Sequence, residues 1–286
     1  MARKQITERI THLDPKQDCQ EIVFLLTCHV FPWDIERALE FALFRTYAIP
    51  AISSLIVKTG EFQKRPRKRY DDTQLLLAEI TEYGYDSDRG KQALNRMNQM
   101  HGRFPISSDD FLYVLSTLIY EPIRWIDKYG WRSLTRNEQL ACFYFYREMG
   151  HRMHIRDIPE SYEEFEQFNR NYEQQNFVLA SSNPVIAKVT VNLFLSFYLP
   201  RLFWSLGKPL IYAAIDNHLL EVLNLPSPPT FLRESVTGLL KLRGKLAGLL
   251  QEPSNPILLT ARKRPTYPQG YKLEELGTFT HAKRSN

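Results

Sequence analysis

Apolar side chains recur at three- and four-residue intervals through nearly all of this 286-residue chain, with no convincing run of alternating strands. That is the helical period, since 3.6 residues per turn bring every third or fourth side chain back to one face. The chain is therefore expected to be all-α, a single domain of about ten helices of ordinary length. Trp33 to Thr59 carries Ile35, Leu39, Leu43, Ile49, Ile52 and Ile56, and Pro50 divides it into two helices or one sharp kink. Gly60 to Asp72 reads as a basic loop. A helix then runs from Thr73 to Tyr83, where Gly84 ends it. Asp88 to His101 reads as a short helix closed by Gly102 in the usual C′ role.

Ser107 or Ser108 caps an apolar helix from Phe111 to Tyr129, and Pro122 predicts a kink within it. Thr135-Arg136-Asn137-Glu138 and Ser161-Tyr162-Glu163-Glu164 have the spacing of capping boxes. The first opens a helix that Gly150 is expected to end; the second opens one through Phe165, Phe168 and Tyr172. Asn183-Pro184 reads as a cap followed by proline at the first helical position, starting a helix from Val185 to Leu199. Trp204–Leu223 and Phe231–Leu250 complete the set. The domain is placed at 10–250. Residues 251–286, proline-containing and basic, are expected to form an extended or mobile tail.

A net charge of +5 and a pI near 9.0 raise the question of anionic partners. Much of the excess is local, in Lys64, Arg65, Arg67, Lys68 and Arg69, with more around Arg262–Arg264 and Lys283–Arg284. Such runs attract phosphates, but a solvated loop carries the same composition, and no nucleic-acid partner is expected. Cys19, Cys28 and Cys142 are odd in number and widely spaced, which favours a reducing compartment. The start is polar, without the apolar segment of a secretory signal. The longest apolar stretch, from Val185, is interrupted by Lys188 and Asn192 and is shorter than a spanning helix requires. A cytoplasmic location is expected, with a peripheral membrane contact through the basic loop or the Leu193–Trp204 region. The sequence fixes no oligomeric state.

Among the seven histidines, His101 has a distinctive setting. Leu94 and Met97 lie seven and four residues before it, on the same helical face. An imidazole on an apolar face suits an axial ligand to heme iron. A histidine in a last turn is equally a partner for the helix dipole, and the residues alone leave both readings open. His151 and His154 are three apart but lack an acidic third ligand, and Gly150 is expected to break the helix before them. Cys28-His29 reads as buried structure. The chain has no Gly-x-Gly-x-x-Gly, no P-loop, no Gly-x-Ser-x-Gly and no His-Glu-x-x-His.

Several stretches together carry a family resemblance. They are Phe41-Ala-Leu-Phe-Arg-Thr-Tyr-Ala-Ile-Pro50 with Thr59-Gly-Glu-Phe62, Lys68-Arg-Tyr-Asp-Asp-Thr73, and Arg96-Met-Asn-Gln-Met-His-Gly102 with Asp109-Asp-Phe-Leu-Tyr113. Tyr129-Gly-Trp-Arg132 and Met149-Gly-His-Arg-Met153 follow. In order and spacing these resemble the heme-dependent oxygenase family that includes the fungal mycophenolic-acid-pathway oxygenase and bacterial rubber oxygenase. The similarity runs from about Ile10 to about Leu250.

The resemblance implies a globin-like all-α core holding heme b, with His101 as iron ligand and Met97 and Asn98 in the cofactor-binding segment. It places Arg69 and Thr73 on the family's polar pair near the heme, where the forked guanidinium suits a propionate and Thr73 either bonds near the iron or caps the helix that follows. Rubber oxygenase has a lysine just before the threonine; here that position is Asp72, which joins Arg69 and Thr73 as a candidate catalytic residue. Glu61 is the nearest acid upstream. The implied partners are dioxygen and an apolar, prenyl-like or alkenyl small molecule, whose carbon–carbon double bond is oxidised. The alternative is a non-catalytic helical module that binds an anionic membrane or a partner through its basic loop.

Overall fold

A computed structural model describes residues 3–250 and 255–277. Among these residues there are no strands, only an isolated bridge between Arg264 and Tyr267. The all-α expectation holds, with more and shorter helices than expected. They are α1 (Arg3–Thr11), α2 (Cys19–Leu25, continued by a π segment Leu26–Val30), α3 (Pro32–Tyr47), α4 (Pro50–Thr59), α5 (Glu61–Lys64), α6 (Pro66–Tyr83) and α7 (Asp88–His101). Then come α8 (Ser108–Tyr129), α9 (Arg136–Arg152), α10 (Tyr162–Asn176), α11 (Ser182–Tyr198), α12 (Trp204–Ala214), α13 (Asn217–Val222) and α14 (Thr230–Leu249).

Two apolar clusters fill the interior. One gathers α2, α6, α7, α8 and α9 around Ile22, Leu75, Ile119, Tyr120 and Phe145. The other gathers α4, α11 and α13 around Phe44, Tyr47, Val191 and Leu220. Phe41 and Phe168 pack against both, so the clusters join across α3 and α10.

Local signals explain many boundaries. Pro50 starts α4, which turns 99° from α3. Thr135 and Glu138 form the complete reciprocal capping box, whereas at the second box only the Ser161 half forms, accepting from the Glu164 amide. Ser107 caps α8, which continues through Pro122.

Other boundaries depart from the expectation. The supposed basic loop is helical: Pro66 sits in the first turn of α6, and Arg67–Asp71 and Lys68–Asp72 form four-residue ion pairs along it. Such pairs bridge successive turns and support a helix. Gly102 has a right-handed φ of −62° and is no C′ glycine. Gly150 does not break α9, because it is a packing glycine: a Cβ there would stand 2.4 Å from Leu115 Cδ2. Asn183 is buried inside α11, where its amide donates to the Val178 and Val222 carbonyls. Asp216 caps a new helix and so divides the expected Trp204–Leu223 element.

The largest departure is the tail. Its described part, 255–277, is extended but fastened to the body as a strap. Ile257 donates to the Cys28 carbonyl at 2.8 Å. Arg262 pairs with Glu36, Arg264 with Asp71, and Tyr271 donates to Glu79. Leu276 is fully buried and its carbonyl accepts from Arg96. Pro253 and the basic end at Lys283–Arg284 lie outside the described residues.

Among the described residues, no single helix is long and apolar enough to cross a membrane. The bent pair α3–α4 has the length and composition, but α3 buries Asp34, Glu36 and Glu40. Paired carboxylates on that helix belong to a protein interior.

Candidate functional site

Helices α6 and α7 lie side by side and bring the candidate residues together. Ser87 starts α7 by accepting from the Gly90 amide at 3.0 Å. Position 90 admits only glycine, because a Cβ would stand 2.0 Å from the Gly84 carbonyl oxygen. The close approach sets the turn between the helices and thus the register of His101, the last residue of α7, against α6.

The His101 ring meets Phe111, at the start of α8, edge-on with centroids 5.2 Å apart. Its Nδ1 is buried without a hydrogen-bond partner, which is costly unless a ligand or ion takes it. Burial chiefly, and the nearby Arg69 charge secondarily, push the imidazole pKa down to about 4. The ring is therefore neutral at ordinary pH, the form that binds a metal.

This shift carries a pH dependence. Unfolding returns the imidazole toward 6.5, so between about pH 6.5 and about pH 4 the unfolded chain takes up a proton that the folded chain refuses. The stability is complete above that window and is lost as pH falls through it. In the ligand-free protein the urea midpoint is expected to drop across the window, and less so in His101→Gln. Identical pH profiles for the two proteins would contradict this account of the ring.

Arg69 projects from α6 one turn before Thr73. Its Nη1 lies 3.4 Å from Thr73 Oγ1, which itself donates to the Arg69 carbonyl at 3.0 Å. Thr73 is thus tied to the α6 backbone and steadies the guanidinium. Tyr47, fully buried on α3, also lies within reach of the Arg69 charge. Its hydroxyl sits near Thr190 without a well-formed hydrogen bond, and burial pushes its pKa to about 12. Sequence reasoning missed Tyr47 and Phe111, although both lie within segments that carry the resemblance.

The other candidates have different settings. Asp72 is buried and engaged: Lys68 donates to both its oxygens, at 2.8 and 3.0 Å, and the Tyr267 hydroxyl of the strap donates to it as well. Met97 is buried in the core. Asn98 donates to the Arg152 carbonyl at 2.9 Å, linking α7 to α9. Glu61 pairs with Arg65. His151 and His154 are exposed, and among the described residues no group of three or more histidine, cysteine or acidic side chains could hold a metal. A single histidine beside Phe111 and near the Arg69 guanidinium is a donor set that suits a prosthetic group bringing its own ligands.

A cavity of about 10 Å³ lies on the strap side of Arg69, between Glu61, Lys68, Asp72 and Gly277. It has room for about one water. His101 does not line it, so it is not the space a porphyrin would take. A wider depression of 390 Å³ at the far end of α6, around Gln20, Glu82 and Asp86, holds none of the candidates.

No family model matches the chain. Among curated proteins it is 30% identical to the ER-bound oxygenase mpaB of Penicillium roqueforti (strain FM164), over 68% of this chain and 70% of that protein. It is 29% identical to the ER-bound oxygenase mpaB' of Penicillium brevicompactum, over 69% of this chain and 51% of that protein. A further ER-bound oxygenase mpaB, also of Penicillium brevicompactum, is 30% identical over 69% of this chain and 55% of its own length. The matches thus span little more than half of each Penicillium brevicompactum protein.

Proposed function

This chain belongs to the mpaB oxygenase family, and from that premise we propose that it is a heme-dependent oxygenase in which His101 ligates the iron. The observation that carries the reading is the half-buried, neutral His101 imidazole, whose Nδ1 is shut off from water without a partner, near the half-buried Arg69 guanidinium. Bound heme would supply the redox-active iron at which dioxygen reacts.

The chain's own groups do the rest. His101 stays deprotonated because burial and Arg69 both disfavour its cation. Arg69, steadied by Thr73, offers a guanidinium fork to a carboxylate of the cofactor. Met97 and Met100, buried on α7, and Phe111, against the His101 ring, would furnish an apolar wall to the cofactor. Asp72 acts by position, holding Lys68 and Tyr267 together over the outer side of Arg69.

The substrate class is an apolar, prenyl-like or alkenyl chain. Net oxidative cleavage adds one oxygen atom of dioxygen to each carbon of a double bond. The products are two carbonyl groups, and no external reductant is required.

The full chain, expressed with a heme precursor, is expected to purify with a Soret band and one iron per chain, and to consume dioxygen with an alkenyl substrate. A colourless, well-folded preparation that also fails to take up added hemin would overturn the heme assignment. Arg69→Ala is expected to weaken heme retention by about tenfold, as loss of a charge-assisted contact does, with Arg69→Lys recovering part of it. Hemin titration reads both.

A further inference from the structure

Of the sixteen large apolar side chains exposed among the described residues, eleven fall between residues 198 and 250. Seven of them lie on two helices that pack against each other, α12 and α14, and the other four lie beside the ends of these helices in sequence. On α14, Leu239, Leu242, Leu246 and Leu249 follow at intervals of three, four and three, which puts them on one face. Leu249 is 83% exposed. The opposite face of α14 is the one that meets the body: Gly244 packs on the Tyr129 carbonyl, and Arg243 lies over Trp33 and pairs with Asp34. On α12 and the turn before it, Leu202, Leu206 and Leu210 are exposed, Leu202 at 82% and Leu206 at 72%. Arg233 ties the two helices by donating to the Ala213 and Ile215 carbonyls.

Charge identifies the occupant. Lys241 and Lys245 are exposed beside the leucine stripe, and no acidic residue occurs from Leu239 to Leu250. Arg201 is exposed beside Leu202. A leucine face bordered by lysine and arginine is the pattern of a helix lying in the interface of an anionic bilayer. A second copy of the same face fits less well. Glu234 is the one acid on α14, so facing copies would set Lys241 and Lys245 against partners with little negative charge to offer.

We propose that α12 and α14 form a monotopic membrane-docking face, with their leucines entering the outer acyl region and Lys241, Lys245 and Arg201 meeting anionic headgroups. The Lys64–Arg69 segment is not this face, because Arg65, Arg67 and Lys68 are engaged with Glu61, Asp71 and Asp72.

The test is flotation of the full chain with vesicles of phosphatidylcholine, with and without phosphatidylserine. Wild type is expected to float with the anionic vesicles. Leu206→Ser/Leu242→Ser/Leu246→Ser, all exposed sites with little bearing on the fold, is expected to lower partitioning by about tenfold or more. Lys241→Glu/Lys245→Glu is expected to lower it by about fivefold or more per lysine, on the anionic vesicles only. Lys64→Ser/Arg65→Ser is expected to behave as wild type, and circular dichroism verifies helix content throughout. The proposal is overturned if wild type does not float, or if the leucine variant floats as wild type does. It is equally overturned if the Lys64/Arg65 variant alone loses binding. A non-floating wild type that dimerises, and becomes monomeric with the leucine substitutions, assigns the face to a second copy instead.

Discussion

The His101→Ala protein is expected to lose nearly all its heme while keeping its helix content. His101 ends α7, so its removal leaves no unpaired turn within the helix, and it makes one aromatic contact, with Phe111. The fold should lose on the order of 1 kcal/mol, within the ordinary range for a point substitution. The ligand loss is of another order, because no second histidine on the apolar side of α7 can replace the iron bond. His151→Ala and His154→Ala, at exposed positions, should keep the wild-type Soret band. Imidazole added to the His101→Ala protein should enter the vacated space and restore part of the band. Equal heme loading of wild type and His101→Ala, at comparable helicity, would assign the iron to another residue.

The second large effect is expected at the strap. Asp71, fully buried on α6, accepts from Arg264 Nη1 at 2.8 Å, from the Thr266 hydroxyl at 2.6 Å and from Arg67 at 3.1 Å. Arg264 is itself buried, and its Nε has no partner. Asp71→Ala strands that guanidinium away from water, and breaking one side of a buried pair costs about 3–5 kcal/mol. The urea midpoint of Asp71→Ala should therefore fall steeply, and protease should cut within 255–277 before the helical body. The double substitution with Arg264→Ala should cost less than the two singles added together, since the shared term is then counted once. A loss under about 1 kcal/mol for Asp71→Ala would mean that the strap contributes little to the folded state.

Residue by residue, what was legible depended on the range of the interaction. The capping box at Thr135 and the stop at Gly84 could be read because their partners lie within three or four positions. The same local reading failed at Gly150 and Asn183, whose reasons are distant: Leu115 packs against the first, and Val222 and Ser53 bond the second. The basic run was misread as a loop although its counter-charges, Asp71 and Asp72, follow only one turn later; what could not be read locally is that Arg264 and Tyr267, nearly two hundred residues on, engage the same two carboxylates. The candidate site divides in the same way. His101 stood out by its apolar face, and Arg69 and Thr73 by family resemblance. Nothing in the linear order showed that Tyr47 would lie near Arg69, or that Asp72 would be committed to the strap.

By itself the sequence determined the all-α class, most helix positions and the family, because periodicity, caps and motif order are short-range or additive properties of the chain. Tertiary structure alone decided that the Nδ1 of His101 is buried and unpartnered near a cation. It also decided that Asp71 and Asp72 are shared with Arg264 and Tyr267 of the strap, and that the leucines of α12 and α14 stay exposed. Each of these depends on which surfaces are removed from water when distant segments pack, and burial, unlike helical period, is a property of the assembled whole.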